Sequence, residues 1–317
     1  MRQLLFAVFA AAGCANNSGN TNVACQPVAP SQVSALPQWG GTVFTIVMEN
    51  HSRGEIIGNK NAPYINQLAS KYAQAAGYHD SFVHPSEPNY FWMVSGENFG
   101  ILDDADPASH HLSSTSHIAD QLEAAGLSWR SYQESMGDPC GLRSHGRYAA
   151  KHNPFAYFND VNGWDGKAFH PELRCNEHVV DFSELDADLA AHTVPRYAFI
   201  TPNLDNDMHD GSIAAGDAWL QNEIPKILAD ASFQNGGVLF LLWDEGGGTP
   251  AGDDPPFIAI SPNAQSGMVS QVDYDTSSYL KTVQNILGVS ELPCDAAAAT
   301  VPAMTDLFTV PLTAAAP

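Results

Sequence analysis

Polar and apolar residues follow one another along this chain in blocks, and the blocks switch between two periods. Val43-Phe44-Thr45-Ile46-Val47-Met48 is a β-rich run with a single polar member, the pattern of a strand buried on both faces. Val238 to Trp243 is more apolar still, and Tyr197 to Thr201 and Phe257 to Ile260 are shorter runs of the same kind. Between them the spacing becomes helical. Residues 62–76 carry Ile65, Leu68, Ala69 and Tyr72 on one face and stop at Gly77. Thr115 to Ala125 places Ile118 and Leu122 together before Gly126; Ala218 to Ala231 and Ser278 to Leu287, closed by Gly288, complete the set. Strands alternating with helices predict an α/β fold, a mostly parallel sheet with helices on both faces. Residues 133–180 are richer in turns and carry two cysteines, which predicts an insertion or cap within a single domain covering 38–312.

The ends of the chain read differently. Arg2, the apolar run Leu4 to Ala12 and Ala11-Ala12-Gly13-Cys14 form an export signal over 1–14 with a lipobox-like cleavage site. That run is too short to span a bilayer. Lipidation of Cys14 is expected, with ordinary secretion as the alternative, since Ala11 stands where a lipobox has Leu. Residues 15–37 are polar and proline-dotted, a tether, and 313–317 a frayed tail. The expected location is therefore the cell surface or periplasm. With Cys14 set aside, four cysteines remain, an even number in an oxidising compartment, and three pairings are possible. The expected pairing is Cys140–Cys175, closing the turn-rich insertion, and Cys25–Cys294, pinning the tether to the end of the domain.

Charge narrows the partners. There are 35 acidic against 13 basic side chains, a formal net charge of −22. Such a surface repels nucleic acid and anionic membranes, so neither is an electrostatic partner, and membrane contact is left to the N-terminal anchor. No protein partner is evident. An anionic substrate would then need local positive charge, and with so few Lys and Arg a bound metal is the economical source.

Chemistry is expected beyond the carboxyl ends of the strands. Three strands end in polar clusters there: Glu49-Asn50-His51, Pro202-Asn203 and Asp244-Glu245-Gly246. Glu49, Asn50, Asp244 and Glu245 give an oxygen-rich set suited to a hard divalent ion, whereas each cluster alone reads as a solvated turn. In His84-Pro85-Ser86-Glu87-Pro88-Asn89-Tyr90 two prolines fix the backbone around Ser86 just ahead of a helix start. A serine there can either hold a phosphate among free N–H groups or merely cap the helix. His152, in Lys151-His152-Asn153-Pro154-Phe155, and His209, in Asp207-Met208-His209-Asp210, lie in dense polar motifs where imidazole could bind phosphate or donate a proton. His110-His111 is a weaker candidate.

Met48-Glu49-Asn50-His51-Ser52, the Ser86 segment with Ser95-Gly96, Lys151 to Phe155, Thr201-Pro202-Asn203 with Asn206 to Asp210, and Trp243 to Gly246 together resemble the bacterial and fungal phosphoesterase family. That family holds acid phosphatases and the non-toxic and haemolytic phospholipases C, and the resemblance runs from about residue 42 to 309. It implies an alkaline-phosphatase-like three-layer sandwich and one divalent metal ion held by Glu49, Asn50, Ser86, Asp244 and Glu245, with Ser86 also the nucleophile. The Ser86 segment is similar to that of nucleotide pyrophosphatases, which have threonine there. His152 and His209 would bind the transferring phosphoryl group or protonate the leaving alcohol, and Asn89 and His152 would donate to equatorial oxygens. Many members carry a histidine in a Tyr-x-His-x-Ser segment where this chain has Thr276, which argues against a second metal site. The implied activity is hydrolysis of phosphate esters through a phosphoserine, of phosphomonoesters first because the chain lacks the C-terminal additions of long phospholipases C. The alternatives are a phospholipase C or other phosphodiesterase and, in another class, a non-catalytic cell-surface binding protein.

Overall fold

The computed structural model describes residues 35–81, 83–248, 254–290 and 296–313. The signal segment, Cys14, most of the tether, Cys25, Cys294 and residues 314–317 lie outside these. One sheet organises the described chain. Its strands are β1 (Val43–Met48), β2 (Ala73–Ala75), β3 (Trp129–Gln133), β4 (Val179–Asp181), β5 (Tyr197–Thr201), β6 (Val238–Trp243), β7 (Phe257–Ile260) and β8 (Val269–Ser270), in the spatial order β4-β3-β5-β1-β6-β7-β2-β8. β1 runs parallel to β5 on one side and β6 on the other, and β3 continues parallel to β5 and β4. β7 pairs antiparallel with both β6 and β2, so the sheet is mixed at that edge.

Period-two alternation in the central strands feeds a separate core on each face. Val43 and Val47 of β1 and Val238, Phe240 and Leu242 of β6 pack with the helices Ser86–Ser95 and Thr276–Leu287 through Tyr90, Phe91, Val94, Tyr279, Leu280 and Val283. Phe44, Ile46 and Met48 with Leu239, Leu241 and Trp243 pack on the other face against Ile65 and Leu68 of helix Pro63–Lys71 and Leu220, Ile224 and Ile227 of helix Ile213–Ala229. Helix, sheet and helix make three layers. The stretch 133–180 is built into this core rather than perched on it. Ala150, Phe155, Tyr157 and Val161 are fully buried in the first cluster, and a Cys140–Cys175 disulfide joins its two ends.

Several boundaries differ from the expected ones. The helix expected over 62–76 ends at Lys71, because Ala73–Ala75 is recruited as a strand; Gln74 N–H donates to Met268 O at 2.8 Å and Ala76 N–H to Ser270 O at 2.8 Å. The helix expected from Thr115 starts only at Ile118. The one expected from Ala218 starts at Ile213, where Ser212 Oγ caps Ala215 N–H at 3.2 Å. The last begins at Thr276 with a capping box between Asp275 and Ser278.

Candidate active site

The ladder between β1 and β6 brings the first acidic residues together. Met48 pairs with Trp243, so Glu49 and Asp244 leave adjacent parallel strands at one level, and both are fully buried. Asn50 turns the chain out of β1 in left-handed backbone (φ +47°), a conformation asparagine tolerates better than most residues. Its N–H donates to Asp244 Oδ1 at 3.4 Å. One terminal atom of its carboxamide stands 3.1 Å from both Glu245 Oε1 and Glu49 Oε2. As nitrogen it donates to both; as oxygen it completes a triangle of acceptors that a cation or a carboxyl proton must hold together.

The helix Ser86–Ser95 approaches this cluster end-on. Ser86 occupies its first turn rather than the cap position, which Pro85 takes, and the Ser86 hydroxyl makes no capping bond. Instead Ser86 Oγ donates to Glu49 Oε2 at 3.0 Å. The i, i+3, i+4 spacing puts Asn89 and Tyr90 on the same face. Asn89 Nδ2 donates to Glu245 Oε2 at 3.1 Å and to Val83 O at 2.6 Å, and the Tyr90 hydroxyl donates to Glu49 Oε1. All five residues of the implied metal set are thereby joined through direct contacts.

His152 and His209 flank the cluster at different depths. His152 is buried, its ring stacked on Tyr90 with centroids 5.1 Å apart; its Nε2 lies 3.4 Å from Glu49 Oε1 and its Nδ1 3.5 Å from Asp207 Oδ2. His209 stands at the rim, 27% exposed, with Nδ1 2.9 Å from Asp210 Oδ1 and its ring 5.8 Å from that of His152. Between Asp207 and His209 the backbone of Met208 is left-handed (φ +82°), which separates a buried carboxyl from a rim imidazole two residues on. Thr276, fully buried, opens the last helix with Oγ1 3.5 Å from the Tyr78 hydroxyl. His110 is placed against Glu87 Oε1 rather than in the cluster.

The electrostatics show what the cluster lacks. Burial, then the Asp244 and Asp207 charges, push the Glu49 carboxyl well above its ordinary range. Burial raises Asp244 to about 7, with hydrogen bonds from Asn50 and Ser86 working against the rise. Burial and then Asp244 and Asp80 raise Glu245 to about 9, and burial raises Asp207 to about 7. His152 is driven the other way, well below its ordinary value, by burial and then by Lys151 and His209. Asp244 Oδ2, Asp207 Oδ2, Asn89 Oδ1 and His152 Nε2 are buried without a hydrogen-bond partner. Crowded carboxyls, orphaned acceptors and a neutral imidazole are a donor set for a divalent cation, and the residues fit one.

Some of these neighbours escape a reading of strand ends and motifs. Asp207 was visible only as a flank of His209, yet Glu49, His152 and Asp207 bring ligand atoms within 4.8 Å of one another. In the sequence Tyr90 only closes the Ser86 motif, and Lys151 only precedes His152. A second such group, His117, Asp120 and Asp160, is already bridged by Arg174, whose guanidinium reaches Asp160 at 2.7 Å and Asp120 at 2.9 Å.

Comparison with known proteins shows the family. Residues 42–290 match the Phosphoesterase family. A phosphatidylinositol-3-phosphatase of Mycobacterium tuberculosis is 32% identical over 281 residues, 87% of this chain and 85% of that protein. An acid phosphatase of Aspergillus fumigatus is 30% identical over 64% of this chain, and a non-hemolytic phospholipase C of Burkholderia pseudomallei 26% identical over 62%. This chain spans only 44% and 30% of the length of those two. Among solved structures, human ectonucleotide pyrophosphatase/phosphodiesterase 5 superposes with a TM-score of 0.56 at 11% identity, over 85% of this chain and 100% of that one. A Vibrio parahaemolyticus protein of the alkaline phosphatase superfamily gives 0.53 at 11% identity, over 82% and 70%. These likenesses place the three-layer sheet in the alkaline-phosphatase-like class. With a sequence match over most of its length, the chain belongs to the phosphoesterase family, hydrolases of phosphoric ester bonds.

Proposed function

We propose that this protein is an exported phosphomonoesterase of acid-phosphatase type that uses one divalent ion and a phosphoserine at Ser86. The observation that carries the reading is the Ser86 hydroxyl, in the first turn of its helix and 3.0 Å from a fully buried Glu49 within a carboxylate cluster. Glu49, Asn50, Ser86, Asp244 and Glu245 would hold the ion, which when bound supplies positive charge that favours serine alkoxide and shields an incoming phosphoryl group.

The remaining steps belong to the chain. Ser86 Oγ, losing its proton to the cluster, attacks phosphorus in line and expels the alcohol, and water then attacks the phosphoserine from the vacated side. Asn89 orients Glu245 in the free site and exchanges that contact for an equatorial oxygen when substrate enters, keeping its bond to Val83 O. His152 is wedged between Glu49 and Asp207, and from there it holds their orientation while sharing in phosphoryl binding. His209, at the rim with Asp210 beside it, protonates the leaving alcohol. The Cys140–Cys175 disulfide suits an oxidising compartment, and the apolar run at Leu4 to Ala12 suits export, with Cys14 as the acylated N-terminus. Mass spectrometry of the native N-terminal peptide tests the last point, and a mature chain beginning beyond Cys14 excludes acylation there.

A panel of p-nitrophenyl phosphate, bis-p-nitrophenyl phosphate and phosphatidylcholine tests the activity. Turnover concentrated on the monoester, and lost with EDTA, is expected. Preference for phosphatidylcholine would move the protein to the phospholipases C. No turnover on any of the three, with metal supplied, refutes the reading.

A further inference from the structure

Lys151 is a cation whose charge reaches the carboxylate cluster, and nothing in the mechanism above uses it. Its charge lowers the carboxyls of Glu49, Asp207, Asp244 and Glu245 alike. Its Nζ bonds Asp104 Oδ2 at 2.8 Å, and the other oxygen of that carboxylate accepts the backbone N–H of Glu87 at 3.1 Å. Glu87 is the residue after Ser86, in the first turn of the ten-residue helix Ser86–Ser95, where free N–H groups face an anion. One carboxylate therefore bridges an ammonium and a helix-terminal amide beside the serine hydroxyl. A phosphoryl group presents two oxygens at much the same spacing to the same two donors.

The pair is reachable and the other nearby cation is committed. Lys151 and Asp104 are 22% and 28% exposed, so solvent and a small anion can reach both. Arg147 is bound by Asp205 at 2.9 Å and Asp210 at 3.0 Å, out on the rim. Charge counting shows why a second cation matters. Once a divalent ion has displaced their protons, Glu49, Asp244 and Glu245 would carry three negative charges against its two positive ones, a net charge of −1. A diester brings one negative charge to that site and a monoester dianion brings two, so repulsion falls harder on the monoester unless a further positive charge faces it.

Building on the Ser86 reading, we propose that Lys151 is a specificity-determining residue for phosphomonoesters: its ammonium exchanges the Asp104 carboxylate for the non-bridging oxygens of a monoester dianion. Asp104 is the positioning residue that holds Lys151 and the Glu87 amide aligned until substrate arrives. No bond is made or broken in the exchange, only one anion for another at the same donors.

The test compares wild type with Lys151→Gln, Lys151→Arg and Asp104→Asn. Each is assayed for kcat/KM on p-nitrophenyl phosphate and bis-p-nitrophenyl phosphate, and for inorganic phosphate binding by calorimetry. Lys151→Gln is expected to lose roughly tenfold or more on the monoester and in phosphate affinity, with less than about threefold change on the diester, the scale of one charge-assisted contact. Lys151→Arg restores most of the loss. Asp104→Asn keeps an acceptor for the Glu87 amide but frees Lys151, so phosphate binds more tightly and the monoester KM falls while kcat holds. A folded Lys151→Gln protein that loses both substrates equally, or neither, overturns the proposal. If that variant does not fold, unchanged phosphate affinity in Asp104→Asn overturns it alone. Wild type inactive on both esters, or Ser86→Ala fully active, strikes the parent reading instead, and the calorimetric comparison still reads the Lys151 contact.

Discussion

Replacing Tyr90 by Phe removes one oxygen and little else, which makes it a sharp probe of how the metal set is held. The Tyr90 hydroxyl donates to Glu49 Oε1 in a fully buried setting, and the ring stacks on His152, a contact that Phe preserves. Glu49 keeps the Ser86 hydroxyl on its other oxygen. The lost bond is charge-assisted once Glu49 is ionised, so roughly 1.5–3 kcal/mol is at stake, about 10- to 150-fold in metal affinity. The same bond lowers the Glu49 carboxyl pKa, although burial and its acidic neighbours dominate and hold it up. Without Tyr90 the proton competes harder with the metal, so the affinity gap should widen as pH falls. Calorimetric titration with buffered divalent ions, repeated at two pH values, measures this, with kcat at saturating metal as the companion readout. Metal affinity equal to wild type would refute the view that Tyr90 holds a ligand. So would a fall in kcat with affinity unchanged, because the hydroxyl would then act on the chemistry.

Ser86→Ala should abolish turnover while leaving folding and metal content nearly intact; more than a few per cent residual activity points to another nucleophile. Metal-free protein should lose stability as pH rises, because burial holds Asp207 and Asp244 at about 7 and Glu245 at about 9, so the folded state binds protons more tightly than the unfolded one. That contribution is complete below the ordinary carboxyl values and is lost through the window up to about 7 to 9. Tm in EDTA should therefore fall between about pH 5 and 8, and saturating divalent ion should lift it most at the upper end; a Tm in EDTA that rises over this range contradicts the argument. Cys140→Ser with Cys175→Ser opens a loop with a sequence separation of 35 and should cost up to about 4 kcal/mol by loop-closure entropy. Denaturant unfolding reads it, and a loss below about 1 kcal/mol would show that the buried 150–161 segment holds itself.

The elements that could be read from the chain are those whose burial is written into local pattern. β1, β5, β6 and β7 are uniformly apolar or nearly so, and their positions follow from that alone. β3 escapes a pattern reading because it buries polar residues that satisfy one another within the strand and across to β5. Gln133 Nε2 donates to Ser131 Oγ at 2.9 Å and to Thr201 Oγ1 at 3.1 Å, and no local signal announces such partners. β2 and β8 are short and form only because distant backbone is there to pair with. The site divides in the same way. Glu49, Asn50, Asp244 and Glu245 follow from carboxylates and amides placed straight after buried strands. The roles of Asp207, Tyr90 and the Asp104–Lys151 pair depend on contacts between segments far apart in sequence.

The pairing of β1 with β6 also decides when the site can exist. Asn50 and Asp244 are separated by 194 positions, yet they meet across neighbouring rungs of one ladder. No shorter piece of the chain contains both Asn50 and Asp244. A growing polypeptide thus cannot bring Glu49 and Asn50 together with Asp244 and Glu245 until β6 has emerged and docked, and loop closure over that span makes docking a late event. On the proposed reading, the five-residue set could take up its ion only where the chain finishes folding. For a donor set of hard oxygens, whose affinity alone discriminates poorly among divalent metals, the place of folding would then be the arbiter of which metal is bound.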